Sequence, residues 1–281
     1  MRQLVLLAAA LGISACGVAS ATAPDRTKLP LGDNKVSDSP KEGYAYSCQR
    51  ADPNGGGAFT DGPWINGSTW DMTAKLHVQG SVSHDNVHKI TVANGSRTIV
   101  SNGLPSTSGT FPISSSDPAY RYDRNPNSIQ KQSISLSVPA SPKRASTTTC
   151  IGGMVGITKT GIPIFSAFDA TLRDANAHEI QDKCGGHPQR TGQYHYHGFS
   201  SCSKKTGLWG YALDGFGIYA PKDQQTGKTL SSKDLDACHG ITSTVMWKGK
   251  WRRMYHYVAT YDFPYTVGCF RGTPTNAQAL G

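Results

Sequence analysis

Two histidines one residue apart, His195 and His197, sit inside Gln193-Tyr194-His195-Tyr196-His197-Gly198. On an extended strand, side chains at i and i+2 leave the same face. Their Cα atoms lie about 6.5–7 Å apart, so both imidazoles can close on one ion at about 2.0–2.1 Å. Tyr194 and Tyr196 then point to the opposite face as packing, or lend a hydroxyl to orient a ligand imidazole. A partial echo, Tyr255-His256-Tyr257, offers a third imidazole, with Tyr255 and Tyr257 in the matching roles. Six of the nine histidines fall between His178 and His256, which argues for one site. The candidate metal ligands are His195 and His197, then His256, His187, His239 and Asp214. His187 lies in the loop-like Gly185-Gly186-His187-Pro188, and His239 directly follows Cys238. Asp214-Gly215 reads first as a hairpin turn, with a ligand or general-base role for Asp214 as the alternative. His77, His84 and His88 share no evident face and read as ordinary polar positions.

Three imidazoles with an open position suit Zn²⁺, which makes hydroxide available near neutral pH and implies a hydrolase or lyase. Imidazole-rich sites also suit Cu²⁺, which implies copper binding or an oxidative enzyme. No stretch offers the carboxylate spacing of a calcium loop. Gly-x-Ser-x-Gly, His-Glu-x-x-His, the P-loop and Gly-x-Gly-x-x-Gly are all missing. The pattern therefore locates a site without naming a reaction, and whether the protein is an enzyme stays open.

The elements that must position these residues are strands. In 87–92 and 97–100, apolar and polar residues alternate around Asn94-Gly95, a strong hairpin turn. Residues 133–138 place Ile134, Leu136 and Val138 on one face, and 75–79 alternate as well. Residues 158–168 read as strand–turn–strand about Thr160-Gly161, and 209–218 do so about Asp214-Gly215. A short serine-capped helix can open near Ser231. Helical periodicity is otherwise scarce, so the fold class is mainly β, with long loops and few short helices. The expected organisation is a lipoprotein-type signal peptide at 1–15, a disordered tether at 16–43 and a β-rich N-terminal lobe at 44–150. A lobe carrying the tyrosine–histidine motif follows at 151–272, then a tail at 273–281; the two lobes can be one domain.

Arg2 and the short apolar run at 4–13 read as an export signal, too short to span a bilayer. Ile13-Ser14-Ala15-Cys16-Gly17 resembles a bacterial lipobox, with Cys16 as the lipidated residue; cleavage after Ala21 or Ala23 is the alternative. Either route exports the chain, to the periplasm, the outer membrane or the exterior, and leaves a lipid anchor as its one membrane attachment. Without Cys16, six cysteines remain: Cys48, Cys150, Cys184, Cys202, Cys238 and Cys269. In an oxidising compartment they suggest a disulfide-stabilised exported domain, with the pairing open. The net charge is +9. Its densest patch is Lys248, Lys250, Arg252 and Arg253, interleaved with Trp247 and Trp251. In an exported chain that patch reads as a solvated hairpin or a contact for an anionic envelope polymer, not for nucleic acid.

Each histidine unit has the same order: a cysteine, a nearby histidine, then Tyr-His-Tyr. This looks like a degenerate internal duplication with unequal spacing. Gly192-Gln193-Tyr194-His195-Tyr196-His197-Gly198, Gly210-Tyr211-Ala212-Leu213-Asp214-Gly215-Phe216, Leu235-Asp236-Ala237-Cys238, Tyr255-His256-Tyr257 and Phe263-Pro264-Tyr265-Thr266-Val267-Gly268-Cys269 follow one another in order. Across Cys184–Cys269 the chain resembles the YHYH-domain family of exported, mostly bacterial proteins, a resemblance that locates a site and implies no particular activity. Family members often have Asn-Gly-His after the second cysteine and a second Tyr-His-Tyr-His. Here Cys238-His239-Gly240 and Val258 depart from that pattern, so one site built mainly from the first unit is expected. The leading functional reading is an exported protein that binds zinc or copper. The alternative is a non-catalytic envelope or glycan-binding module in which Trp64, Trp70, Trp209, Trp247 and Trp251 stack on sugars. A purely structural role for the tyrosine–histidine pairs is the third.

Overall fold

A computed structural model describes residues 23–275. The signal-peptide reading and Cys16 lie outside the described residues. Three strands form a small antiparallel sheet: β1 (His88–Ala93), β2 (Ser96–Ser101) and β3 (Ile134–Pro139), in the order β3-β2-β1. Asn94 and Gly95 join β1 to β2 with φ of 49° and 76°. Two successive positive φ values are what a hairpin turn that follows the strand twist requires, and Asn-Gly supplies them at little strain. Ile134, Leu136 and Val138 are buried, as their alternation predicts. The alternating 75–79 segment forms no strand; only Val78 makes an isolated bridge, to Asp182.

The second sheet has eight strands. They are β4 (Met154–Thr158), β5 (Pro163–Phe165), β6 (Gly186–Pro188), β7 (Tyr194–Tyr196), β8 (Leu208–Ala212), β9 (Gly217–Tyr219), β10 (Gly240–Trp247) and β11 (Lys250–Val258). Their order across the sheet is β6-β7-β5-β4-β8-β9-β11-β10. That order is the same unit written twice, the second time reversed. In each unit an antiparallel hairpin (β4–β5, β8–β9) meets a second hairpin (β6–β7, β10–β11) through one parallel pair. Ile164 registers with Tyr196 in the first and Ile218 with Tyr257 in the second. The two units join antiparallel through β4 and β8. The internal duplication read from the sequence is therefore a pseudo-twofold in the sheet. Spacing differs because the second hairpin, β10–β11, extends through eight and nine residues where β6–β7 has three and three.

Among the described residues helix is confined to short pieces: α1 (Ala175–His178) and single 3₁₀ turns at Pro118–Arg121 and Ser232–Asp234. The last carries the serine cap expected at Ser231, in a capping box with Asp234. Among the described residues no helix is long and apolar enough to cross a membrane. Disulfides pair Cys48 with Cys150, Cys184 with Cys202, and Cys238 with Cys269. The mainly β, disulfide-stabilised fold is as expected. One apolar cluster takes Leu29, Trp70, Ile99 and Leu136 together with Ile157, Ile164, Tyr194, Ile218 and Tyr257.

The expected tether needs correction within its described part. Leu29 is buried and pairs with Trp70, and Val36 pairs with Ala45. The Gly32 N–H donates to Asp174 Oδ2 at 2.8 Å. Asp33 accepts from the Asp174 N–H at 2.9 Å and from His178 Nε2 at 2.9 Å. Residues 29–37 thus form a strap that closes over α1. The low hydrophobicity that reads as disorder is offset here by two leucines and by charged partners that the rest of the fold supplies.

The strap makes a pH-dependent contribution. Burial opposes the charge on His178, but the hydrogen bond and charge of Asp33 outweigh it and raise its pKa above the ordinary 6.5. Asp33, likewise opposed by burial, is lowered below 3.8 by His178 and by the Asp174 N–H. The contribution is therefore full between pH 3.8 and 6.5. It fades as pH rises through the raised value of His178, and as pH falls through the lowered value of Asp33. Asp33→Asn should cost about 1–2 kcal/mol at pH 5 and less at pH 9, read from thermal midpoints. A gap of the same size at both pH values would rule out the ion pair.

Candidate metal centre

Strand β7 presents His195, and His197 follows it on the same face. The antiparallel register of β6 on β7 sets His187 directly opposite His195. All three side chains are buried, and their ligand nitrogens lie within 4.8 Å of one another. His195 Nε2 and His197 Nε2 are 3.0 Å apart. His195 Nδ1 faces the Gln193 carbonyl at 3.2 Å, and His197 Nδ1 faces the Ser166 carbonyl at 2.6 Å. A carbonyl only accepts, so each Nδ1 carries its ring's hydrogen. In the neutral rings both Nε2 atoms are then bare lone pairs pointed at each other. That arrangement repels unless a cation sits between them.

Two further groups aim at the same space. Neither nitrogen of His187 has a hydrogen-bond partner, and neither does Glu179 Oε2. Glu179 Oε2 stands 3.6 Å from His187 Nε2 and 3.5 Å from His197 Nε2. The three imidazole nitrogens form the group that could hold an ion, and Glu179 stands at its edge, close to two of them. Burial, with the neighbouring imidazoles adding to it, pushes the pKa of His187 and of His195 well below the ordinary range. Burial brings His197 down to about 4. All three rings are therefore neutral at pH 7, the state a metal requires. Burial pushes Glu179 well up. Phe165 stacks on His195 with ring centroids 4.2 Å apart and shields the site on that side.

Glu179 is the residue the sequence reading missed. It follows the single turn of α1, and no spacing rule links it to β6 or β7. Its main chain is held by Lys75, whose Nζ donates to the carbonyls of Asn176 and Glu179 and to Gln181 Oε1. Burial lowers Lys75 to about 7. Three oxygen acceptors around Nζ call for the ammonium form.

The tyrosines do not reach the imidazoles. Tyr194 donates to Asp182 at 2.9 Å, on the other face of β7. Asp182 Oδ1 in turn accepts from the N–H groups of Cys184 and Gly186. Gly186 must be glycine, because a Cβ there would stand 2.4 Å from the Tyr194 hydroxyl. The ligand rings are oriented by main-chain carbonyls, which corrects the expected role of Tyr194 and Tyr196. Tyr255 and Tyr257 donate to Asp236 and Asp214.

The second unit keeps this scaffold and loses the ligands. His256 Nδ1 faces the Met254 carbonyl as His195 faces Gln193, and Tyr219 meets its ring edge-on where Phe165 stacks on His195. Asp236 accepts from Cys238 and Gly240 as Asp182 does from Cys184 and Gly186. Opposite His256, however, stands Ile241, and the position matching His197 is Val258. Val258 packs with Leu230, Leu235 and Ile241 in a small apolar cluster. His239 is turned away at a φ of 67°, with Nε2 2.9 Å from Thr260 Oγ1. Asp214 accepts from Tyr257, Gly272 and Phe216, so it serves its turn. His256, His239 and Asp214 therefore stand outside the cluster that His187, His195 and His197 form.

The tryptophan platform also needs correction. Trp64, Trp70, Trp209 and Trp247 are core residues, at most 7% exposed, and only Trp251 presents a face to solvent. Four of the five are thus unavailable for stacking on a sugar.

Residues 135–230 match the family model described as YHYH protein. The match covers about a third of the chain and includes Glu179, His187, His195 and His197, but stops before His239 and His256. No curated protein and no solved structure matches the chain.

A metal ligand and a structural histidine respond oppositely to deletion. Because His187 has no protein hydrogen bond to lose, His187→Leu should leave the metal-free protein within about 1 kcal/mol of wild type, or raise its stability. The same change should abolish any shift in thermal midpoint on adding Zn²⁺ or Cu²⁺. A loss of about 3 kcal/mol without metal would make His187 structural.

Proposed function

We propose, for a chain that carries a YHYH-family domain, that it is an exported protein binding one transition-metal ion through His187, His195 and His197, with Glu179 beside them. The observation that carries this reading is the pair of Nε2 lone pairs 3.0 Å apart, each fixed by a carbonyl behind its ring. Three neutral imidazoles and a carboxylate suit zinc and copper alike. Such an ion, when bound, supplies Lewis acidity and, if copper, one-electron chemistry.

The residues around it divide their tasks. Gln193 and Ser166 hold the imidazole tautomers. Lys75 places the turn that carries Glu179, and Phe165 excludes water. The three imidazoles would hold the ion, and the Glu179 carboxyl group beside His187 and His197 would face it. The three disulfides fit an exported protein. Periplasmic, outer-membrane or extracellular placement, and lipidation at Cys16, belong to the proposal.

Elemental analysis tests it. The mature chain, residues 24–281 without a His-tag and purified from an oxidising compartment, should carry about one zinc or copper, and His195→Ala with His197→Ala should carry none. Chelation should lower the thermal midpoint, since an ion held at a thousand times its Kd contributes about 4 kcal/mol. A chain that arrives metal-free, takes up neither ion on titration and shows no change in stability would end the metal reading.

A further inference from the structure

A cleft of about 560 Å³ opens beside this centre. Asn176 and Gln181, which flank Glu179, line it, and so does Gly198, the residue after His197. Its size is that of a small-molecule site. Two features of the lining stand out. It contains the cations Arg26, Lys75 and Lys183 and no carboxylate at all. It also contains the partly exposed aromatic rings of Phe199 and Tyr261, while Trp70, at 2% exposed, offers it no stacking face.

The cations have different parts. Lys75 is buried and its three donors are spent on Asn176, Glu179 and Gln181, so it offers the cleft charge but no hydrogen bond. Arg26 and Lys183 are exposed, and neither forms an ion pair among the described residues. The Arg26 guanidinium lies over the Tyr261 ring at 5.1 Å, which holds its plane and leaves its N–H edge available to an anion. A cleft with positive charge, no counter-charge and ring-lined walls complements a ligand that has both an anionic group and an apolar ring face.

We propose that this cleft binds a ring compound bearing a carboxylate, with the ring against Tyr261 and Phe199 and the carboxylate held by Arg26 and Lys183. An acidic sugar residue and an aromatic carboxylate share that chemistry. The site does not depend on the metal reading.

Isothermal titration calorimetry of the mature chain at low salt tests it with two probes, trigalacturonate and 1-naphthoate, each beside its neutral methyl ester. At least one carboxylate should bind with a Kd below about 1 mM, and its ester about tenfold more weakly. The carboxylate that binds identifies the sugar or the aromatic source. Arg26→Ala with Lys183→Ala removes two exposed side chains, so circular dichroism should be unchanged. Affinity should fall about tenfold or more and lose most of its salt dependence. His195→Ala with His197→Ala should keep carboxylate binding, which separates this site from the metal centre. The proposal is overturned if neither carboxylate binds, if the esters bind equally well, or if the Arg26/Lys183 variant binds as tightly as wild type. Loss of binding in the histidine variant would overturn the site's independence.

Discussion

Each ring in the His195–His197 pair gives its one hydrogen to a main-chain carbonyl, from Gln193 and from Ser166. What remains is two lone pairs 3.0 Å apart in a buried space. In water such a pair would part or take a proton between them. Here burial penalises the proton and the strand holds the rings in place. Phe165 closes one side, and His187 and Glu179 bring two more unpartnered atoms to the same point. The site thus gathers, in a buried space, donor atoms that could hold an ion.

That arrangement depends on the strand beneath it. β7 turns its tyrosines to the opposite face, where Tyr194 is tied to Asp182 and Asp182 to the start of β6. The two hairpin strands are therefore locked in register from behind, and register is what sets His187 across from His195. Cys184–Cys202 closes the loop around them. Lys75 does for the Glu179 turn what Asp182 does for the hairpin: one buried polar group satisfies several main-chain or amide partners at once. Buried polar groups that are fully satisfied in this way rigidify their surroundings.

The pseudo-twofold separates what the two units share from what only one of them has. Both units keep the aspartate that caps the cysteine turn, the tyrosine that binds it, the close-packed glycine and an aromatic ring against the strand histidine, stacked in the first and edge-on in the second. Only the first keeps imidazoles at all three positions. In the second, Ile241 and Val258 take two of them and join an apolar cluster. The shared features are explained by packing; the difference is that the first unit alone brings three imidazoles together among the described residues.

Much of this was written in the chain. The i, i+2 spacing of His195 and His197 requires that a strand put them on one face, and Asn94-Gly95 and the 134–138 alternation specify their hairpin and strand by local sterics and period alone. The six paired cysteines, and the repeat of cysteine, histidine and tyrosine, were equally visible. What the chain alone left undecided were partnerships across distance. His187 gains its role from strand register, and Glu179 from a turn fixed by Lys75, a residue about a hundred positions away. His256 keeps the Tyr-His-Tyr pattern and His239 lies beside its cysteine, but they stand outside the cluster because their neighbours are Ile241, Val258 and Thr260. Residues 29–37 read as a tether because their partners, Trp70, Asp174 and His178, lie far along the chain. Local pattern sets which face a side chain takes, whereas tertiary packing decides what waits there to meet it.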